Sequence, residues 1–208
     1  MTGWLRLFSV VYWTGLVFWI GGLLSGGIAA PAVFGTLPEM SVVLAEYSDF
    51  PQDQHGRLAA GKVMEPLFAL AALIQFGGAA MVLFSLIGQG LVLQRRMISA
   101  GHLVRSAAVL VAGSVMVFQA MLITPEMNRD LRSYWAAAEA GDVDAAMVHR
   151  DRFEIRHPTA ERLHATTFGL LLIAVTASAA TVMIVPVGRD ESDLPLQQPH
   201  LGKGHSSR

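Results

Sequence analysis

The sequence predicts an all-α protein: an antiparallel bundle of four transmembrane helices, with a short helical hairpin between helices three and four. Composition is the first observation, since hydrophobic residues make up 53% of the 208 residues and charged residues only 15%. A mean hydropathy of +0.47 is too apolar for an ordinary soluble domain. The second observation is that the charges collect in connections and leave four apolar tracts, each long enough to cross a bilayer. The third is one long connection with helical periodicity.

Charge and cysteine content exclude several classes of function. A formal net charge of −1 gives no electrostatic basis for binding nucleic acid. The chain has no cysteine, which excludes disulfides, thiolate-ligated metals, thiol catalysis and iron–sulfur clusters. A metal would have to be held by histidine, carboxylate, methionine or backbone oxygen. Metal and haem stay open as cofactors on these grounds.

The first apolar tract covers residues 5–34 and is too long for the core of a signal peptide. Gly22 and Gly26 form a GxxxG pattern, whose small side chains let another helix approach closely. We expect this face to pack within the bundle, and it could also pack against a second copy or another membrane protein. Pro31 is expected to kink or end the helix.

Three more tracts complete the predicted transmembrane domain, which covers residues 1–188. The second span covers 61–93, with Glu65 just inside its start, and the third covers 103–124 after a tight, arginine-rich turn. The fourth covers 162–187, and Pro158 is expected in the first turn of its helix. Residues 189–208 are rich in Asp, Ser, Gln, Gly and Pro and are predicted to form a disordered tail.

The connection at 125–156 is long for a helical bundle, and its pattern is helical. Met127, Leu131 and Tyr134 recur at helical spacing, and Gly141 followed by Asp142 reads as a helix stop and a new N-cap. We predict two short helices lying on or near the membrane surface. The alternative is a solvated helical hairpin that packs on the end of the bundle.

Span counting predicts where the polar residues meet. Four crossings put both termini on one side of the membrane and the first and third connections on the other. The polar residues at the helix ends should therefore gather at one membrane face as a polar mouth: Glu65, Gln119, Glu126, His157, Glu161 and His164. The arginine-rich turn between the second and third spans lies at the opposite face, and the positive-inside rule then places the termini in the cytoplasm.

Two metal-based hypotheses concern the start of the fourth helix. His157, Glu161 and His164 share one helical face. Glu161 and His164 have the ExxH spacing used in carboxylate-bridged di-iron bundles, so they are candidate metal ligands. The alternative is an interfacial cluster of Glu, Arg and His that caps the helix. A bis-histidine haem lacks a second membrane histidine opposite His164, whereas a haem with one histidine ligand stays open.

Two stretches carry a resemblance to a known family. WTGLVFWIGGLLSGGIAAPAVF at 13–34 and AGKVMEPLF at 60–68 resemble the transmembrane-protein-205-like family of small four-helix membrane proteins. Trp19, Gly22 and Pro31 match its landmarks in the first helix, and His164 matches one in the fourth. The resemblance implies the fold and a membrane location, and that family is largely of unknown function. The first helix is also similar to copper-resistance-D-type proteins and to the membrane haem-dependent protoporphyrinogen oxidase, but it has no histidine.

Three functions follow from these observations as hypotheses. The leading one is a multi-pass protein of the cell membrane that binds or transports a small solute, a proton or a metal through the polar mouth. The second is a membrane oxidoreductase that depends on haem or metal. The third is a structural subunit that packs against a partner through the glycine-rich face of its first helix.

Overall fold

The computed structural model describes residues 2–93 and 100–182, which form four long helical rods. Helix α1 runs over Thr2–Glu39, α2 over His55–Leu93 and α5 over Val143–Val182. Between α2 and α5, α3 (Ala100–Phe118), a π-helical segment (Gln119–Ile123) and α4 (Thr124–Glu139) follow one another without a break and make the third rod. The described residues contain no β-strand. Four helices are long and apolar enough to cross a membrane, so the prediction of an all-α, four-helix membrane bundle is confirmed.

The rods are longer than the membrane is thick. Helices α1, α2 and α5 contain 38, 39 and 40 residues, which at about 1.5 Å per residue is close to 60 Å. A bilayer has a hydrocarbon core of about 30 Å. The predicted spans are therefore only the apolar parts of longer helices, and the charged parts extend beyond the hydrocarbon. The predicted tail at 189–208 lies outside the described residues.

Prolines lie inside the rods and do not end them. Pro31 is within α1, Pro66 within α2 and Pro158 within α5. The prediction that the last helix begins near Pro158 is therefore wrong, because α5 begins fifteen residues earlier, at Val143. A proline removes one backbone hydrogen bond, but a long helix with intact flanks and packed neighbours tolerates that loss.

In the third rod, a π-helical segment lies directly before the helix that contains Pro125. The N–H of Thr124 donates to the carbonyl of Gln119, five residues back, and Pro125 follows at the start of α4. This wider turn lets the chain pass a residue that has no N–H to donate. The rod therefore continues where the sequence predicts the end of a span.

The predicted helical hairpin is present, but its two helices are extensions of the membrane rods. Helix α4 continues from the π segment, and the first half of α5 packs along it; their placement at the membrane surface stays a prediction. Gly141 makes the turn with a φ of +70°, a conformation that favours glycine. The Asp142 carboxylate then accepts the N–H of Ala145 at 3.0 Å and caps α5. The predicted stop and N-cap are confirmed.

The rods form two closely packed pairs. Helix α1 packs along α2, and the third rod packs along α5. Glycines bring α1 and α2 together: a Cβ on Gly78 would lie 2.5 Å from the backbone nitrogen of Trp19, and one on Gly22 would lie 2.9 Å from the carbonyl oxygen of Ala71. Gly26 faces the ring of Phe68, 3.1 Å from its would-be Cβ. Gly22 and Gly26 thus lie on the face of α1 that contacts α2.

Two hydrophobic clusters join the pairs at separate levels. The membrane core lies toward the chain termini and contains Tyr12, Leu16, Trp19, Leu23, Ala79, Val82, Ala108, Val109, Ala112, Leu171 and Ala174. The outer core lies at the other end and contains Tyr47, Phe50, Leu58, Tyr134, Trp135, Ala138 and Ala146. The outer core packs the first connection and the start of α2 against the hairpin.

A buried histidine holds the first connection in place. The Nδ1 atom of His55 accepts the backbone N–H of Leu44 at 3.1 Å, and its Nε2 lies 3.2 Å from the carbonyl oxygen of Phe50. An imidazole that accepts at one nitrogen and donates at the other ties both halves of this short loop to the first residue of α2. His55 is thus a structural residue of the outer core.

The topology can be tested with single cysteines, because the chain has none of its own. Ser48→Cys and Asp144→Cys, in the first connection and the hairpin, should be labelled by an impermeant thiol reagent from the same side. Gly3→Cys should be labelled from the opposite side in sealed vesicles. Labelling of Gly3→Cys and Asp144→Cys from one side would contradict the four-span arrangement.

Candidate functional site

Between the two cores, residues on the buried stripes of α2 and α5 become exposed. Along α2, Met64 and Ala71 are buried, yet Leu67 and Phe68, which continue the same stripe one turn away, are 42% and 45% exposed. Every residue from 65 to 70 is exposed. We call the stretch between the cores where these stripes are uncovered, from Leu67 and Phe68 on α2 to His164 deeper along α5, the interhelical opening.

His164 borders this opening from the interior stripe of α5. Ala160, Thr167 and Leu171 continue the stripe and are buried, but His164 is exposed. His164 therefore lies on the buried stripe of α5, at a turn where that stripe is uncovered. It lies where the charged half of α5 meets the apolar half, at the level predicted for the mouth.

Gln119 fixes the orientation of the His164 ring. Its Nε2 lies 2.7 Å from Nδ1 of His164, and an amide nitrogen can only donate, so Nδ1 accepts. The carbonyl of Ala160 is 3.2 Å from the same Nδ1, and the shorter contact is the hydrogen bond. The ring proton then resides on Nε2, for which the described residues provide no acceptor. Gln119 is buried and opens the π segment, a helix irregularity that is frequent at functional sites.

Two carboxylates of the predicted mouth, Glu65 and Glu126, each pair with an arginine. Glu65 accepts from Arg132 at 3.2 Å, which joins α2 to α4. Arg156 on α5 lies 3.1 Å from Glu126 and also pairs with the buried Asp130. These contacts put Glu65 and Glu126 at the same end of the bundle, as separate ion pairs. Such exposed pairs contribute little to stability, but they neutralise acids near the membrane.

A cavity of about 520 Å³ lies beside these pairs, along one face of α4. Arg132 lines it and so connects it to Glu65 at the edge of the opening. The charged residues that line it are both arginines, and none of its lining residues is acidic. Its lining residues are Pro125, Asn128, Arg129, Arg132, Ser133 and Ala136.

The proposed metal ligands Glu161 and His164 have different partners. Glu161 pairs with His157 at 3.2 Å, one turn back on the same helix, and Nδ1 of His164 is occupied by Gln119. In residues 2–93 and 100–182 there is no group of three or more His, Asp or Glu that could hold a metal ion. The arrangement fits a neutral hydrogen-bonding site better than a metal site.

A second polar cluster lies in the membrane core and was missed from the sequence. Arg105, which follows the arginine-rich turn at the start of the third predicted span, is only 8% exposed. Its Nη2 donates to Oε1 of Gln89 at 2.8 Å, and its guanidinium lies over the ring of Tyr12, 4.8 Å from the centroid. Gln89 donates in turn to Ser85 at 3.0 Å. We call these residues, with Ser178, the Arg105 network.

The Arg105 network connects four helices at the end of the bundle opposite the mouth. The hydroxyl of Ser85 donates to the backbone carbonyl of Phe8 on α1, and the hydroxyls of Tyr12 and Ser178 are 3.1 Å apart, joining α1 to α5. The sequence does contain one indication of this network, because Arg105 is a charged residue inside the third apolar tract. Gln89 and Ser178 could not be assigned to it, because their register against Arg105 depends on how the rods cross.

No protein-family model, curated protein or solved structure matches this chain.

Proposed function

We propose that this multi-pass membrane protein binds a small polar solute in the interhelical opening and transports it across the bilayer. His164 and Gln119 are the binding residues, with Glu65 and Arg132 at the entrance. One observation carries the proposal: His164 lies on an interior stripe, is oriented by a buried amide, and is still exposed. A polar group held against hydrocarbon is costly, so an opening at this depth is expected to hold water or solute.

The hydrogen-bond pattern indicates what the solute offers. Because Nδ1 of His164 accepts from Gln119, the ring presents an N–H at Nε2. A solute with a hydrogen-bond acceptor, such as a carbonyl, a carboxylate or an inorganic anion, would satisfy it. A proton is also a possible cargo, since an imidazole ring can both accept and donate one. A metal is not supported by the donor set.

Orientation and family are part of the same proposal. The sequence around 94–99 contains Arg95 and Arg96 in a short connection, which supports cytoplasmic termini in the cell membrane by the positive-inside rule. The mouth then opens on the extracytoplasmic side. Membership of the transmembrane-protein-205-like family is proposed on the first-helix landmarks around Trp19 and Gly22 alone.

Cysteine accessibility tests whether the opening holds water. The charged thiol reagent MTSES should modify His164→Cys in liposomes, because the opening gives it an aqueous path. Thr166→Cys is the matched control: it lies two residues on, at nearly the same depth, exposed on the opposite side of α5. It should react far more slowly, since a lipid-facing thiol stays uncharged and meets no charged reagent. Equal rates at the two positions would contradict a water-filled opening.

A further inference from the structure

We infer that the transported solute is a small anion, and that Trp19 and Arg105 bind it one after the other in the membrane core. The inference rests on the proposed function and adds the charge of the solute and two further binding positions. It is carried by three properties of this core: a charge without a counter-charge among residues 2–93 and 100–182, donors without acceptors among the same residues, and a position at the end of the bundle opposite the mouth.

The charge of Arg105 has no counter-charge among the described residues. Its contacts are the amide oxygen of Gln89 and the face of the Tyr12 ring, and both groups are neutral. Several more exposed cations pair with acids: Lys62 with Glu46, Arg132 with Glu65, and Arg150 with Asp151 and Glu154. A buried cation without an acid is the costly exception in a protein, and inside a membrane it marks a function.

Donors without acceptors point to the same kind of ligand. Nε of Arg105 and Nε1 of Trp19 are both buried and have no hydrogen-bond partner among the described residues. Arginine and tryptophan side chains can only donate, so each of these atoms needs an acceptor. A buried donor left unpaired costs free energy; an anion at Arg105 would satisfy its donor and its charge, and an anion at Trp19 would accept the indole N–H. Water could satisfy the donors but would leave the charge.

The two groups lie along the route from the opening to the opposite face. Trp19 and Tyr12 are seven residues apart on α1, so they share the face that forms the membrane core. The ring of Trp19 lies 3.9 Å from the would-be Cβ of Gly113 on the third rod, and Arg105 lies two turns further along that rod. An anion that leaves the N–H of His164 would therefore meet the N–H of Trp19 and then Arg105. The core closes this route in the present conformation.

Anion-dependent melting tests the site without depending on transport. The full-length protein in dodecyl maltoside is melted while potassium gluconate, whose anion is bulky, is replaced by chloride or phosphate at constant ionic strength. The wild type should show a saturable rise in Tm, because a ligand that binds only the folded state stabilises it. Arg105→Gln should raise the half-saturating anion concentration by about tenfold or more, as expected for a lost charged hydrogen bond. Arg6→Gln, an exposed arginine at the same end of the bundle, should respond as the wild type does.

Gln89→Glu keeps the test valid if Arg105→Gln does not fold. The new carboxylate has the shape of the amide it replaces and would lie beside Nη2 of Arg105. It should act as an internal counter-ion, abolish the anion response, and leave Tm in gluconate at least as high as that of the wild type. A response to phosphatidylglycerol alone, with none to chloride or phosphate, would assign the anion to a lipid headgroup.

Equal Tm responses in the wild type, Arg105→Gln and Gln89→Glu would overturn the inference and leave water as the partner of these donors.

A flux assay in liposomes distinguishes a failure of this inference from a failure of the proposed function. Chloride efflux that is lost in Arg105→Gln and kept in Arg6→Gln supports both. Flux of protons or neutral solutes, without flux of chloride or phosphate, would contradict the inference of an anionic solute. It would still support the proposed transport function. Failure of MTSES to modify His164→Cys would contradict the water-filled opening of the proposed function. The melting experiment would still test anion binding at Arg105.

Discussion

Gly78→Ala should lower the stability of the protein in detergent, while Gly77→Ala, one residue away, should leave it unchanged or raise it. A Cβ on Gly78 would lie 2.5 Å from the backbone nitrogen of Trp19 and 2.7 Å from the carbonyl oxygen of Gly15. Both are backbone atoms and cannot rotate away, so α1 and α2 would have to separate. A Cβ on Gly77 meets nothing within 4 Å.

The size of the effect follows from two opposing terms. Overpacking costs about 1–3 kcal/mol, and the upper end applies where backbone meets backbone. Replacing glycine in a helix gains about 1 kcal/mol. We expect a net loss of about 2 kcal/mol for Gly78→Ala, measured by thermal or chemical unfolding in one detergent, and a gain of up to about 1 kcal/mol for Gly77→Ala. Similar losses in both variants would show that the glycines do not set the α1–α2 distance.

The sequence predicted the fold well because the bilayer restricts the choices. A long apolar tract without charges can only be a membrane helix, and four of them force the termini to one side. Helix ends were predicted less well, because the sequence shows where the chain is apolar and not where the helix stops. Pro158 and Pro125 illustrate this: both looked like boundaries, and both lie within rods that continue into water.

The candidate site was predicted in part, and the reason is register. Span counting brought Glu65, Gln119, Glu126 and His164 to one end of the bundle, but it could not give their partners. The Gln119–His164 hydrogen bond depends on the π segment, which shifts the residues after it around the helix axis. The pairing of Arg105 with Gln89 depends on the crossing of α2 and α3. Neither the register after the π segment nor the crossing of α2 and α3 can be derived from the spacing of residues in the sequence.

The outer core explains how the opening stays open without the bundle coming apart. The two helix pairs are held together at the membrane core and again through Trp135, whose ring lies 3.4 Å from the would-be Cβ of Gly61 on α2. The outer core extends beyond the apolar spans, so the hydrophobic effect stabilises it, whereas apolar contacts inside the bilayer gain only packing. Trp135 should therefore be among the most costly side chains to remove.

Trp135→Ala is expected to destabilise the outer core by about 3–5 kcal/mol, the usual cost of deleting a buried tryptophan. Trp135 is 9% exposed, whereas Trp4, the matched control for Trp4→Ala, is 63% exposed and should change stability little. Hydrogen exchange should locate the loss. Amides in the 44–62 segment should exchange about a hundredfold faster or more, while those around Val82 keep their protection, because the two cores are separate clusters. Equal acceleration in both regions would mean that the cores unfold as one unit, and the opening would then have no independent outer support.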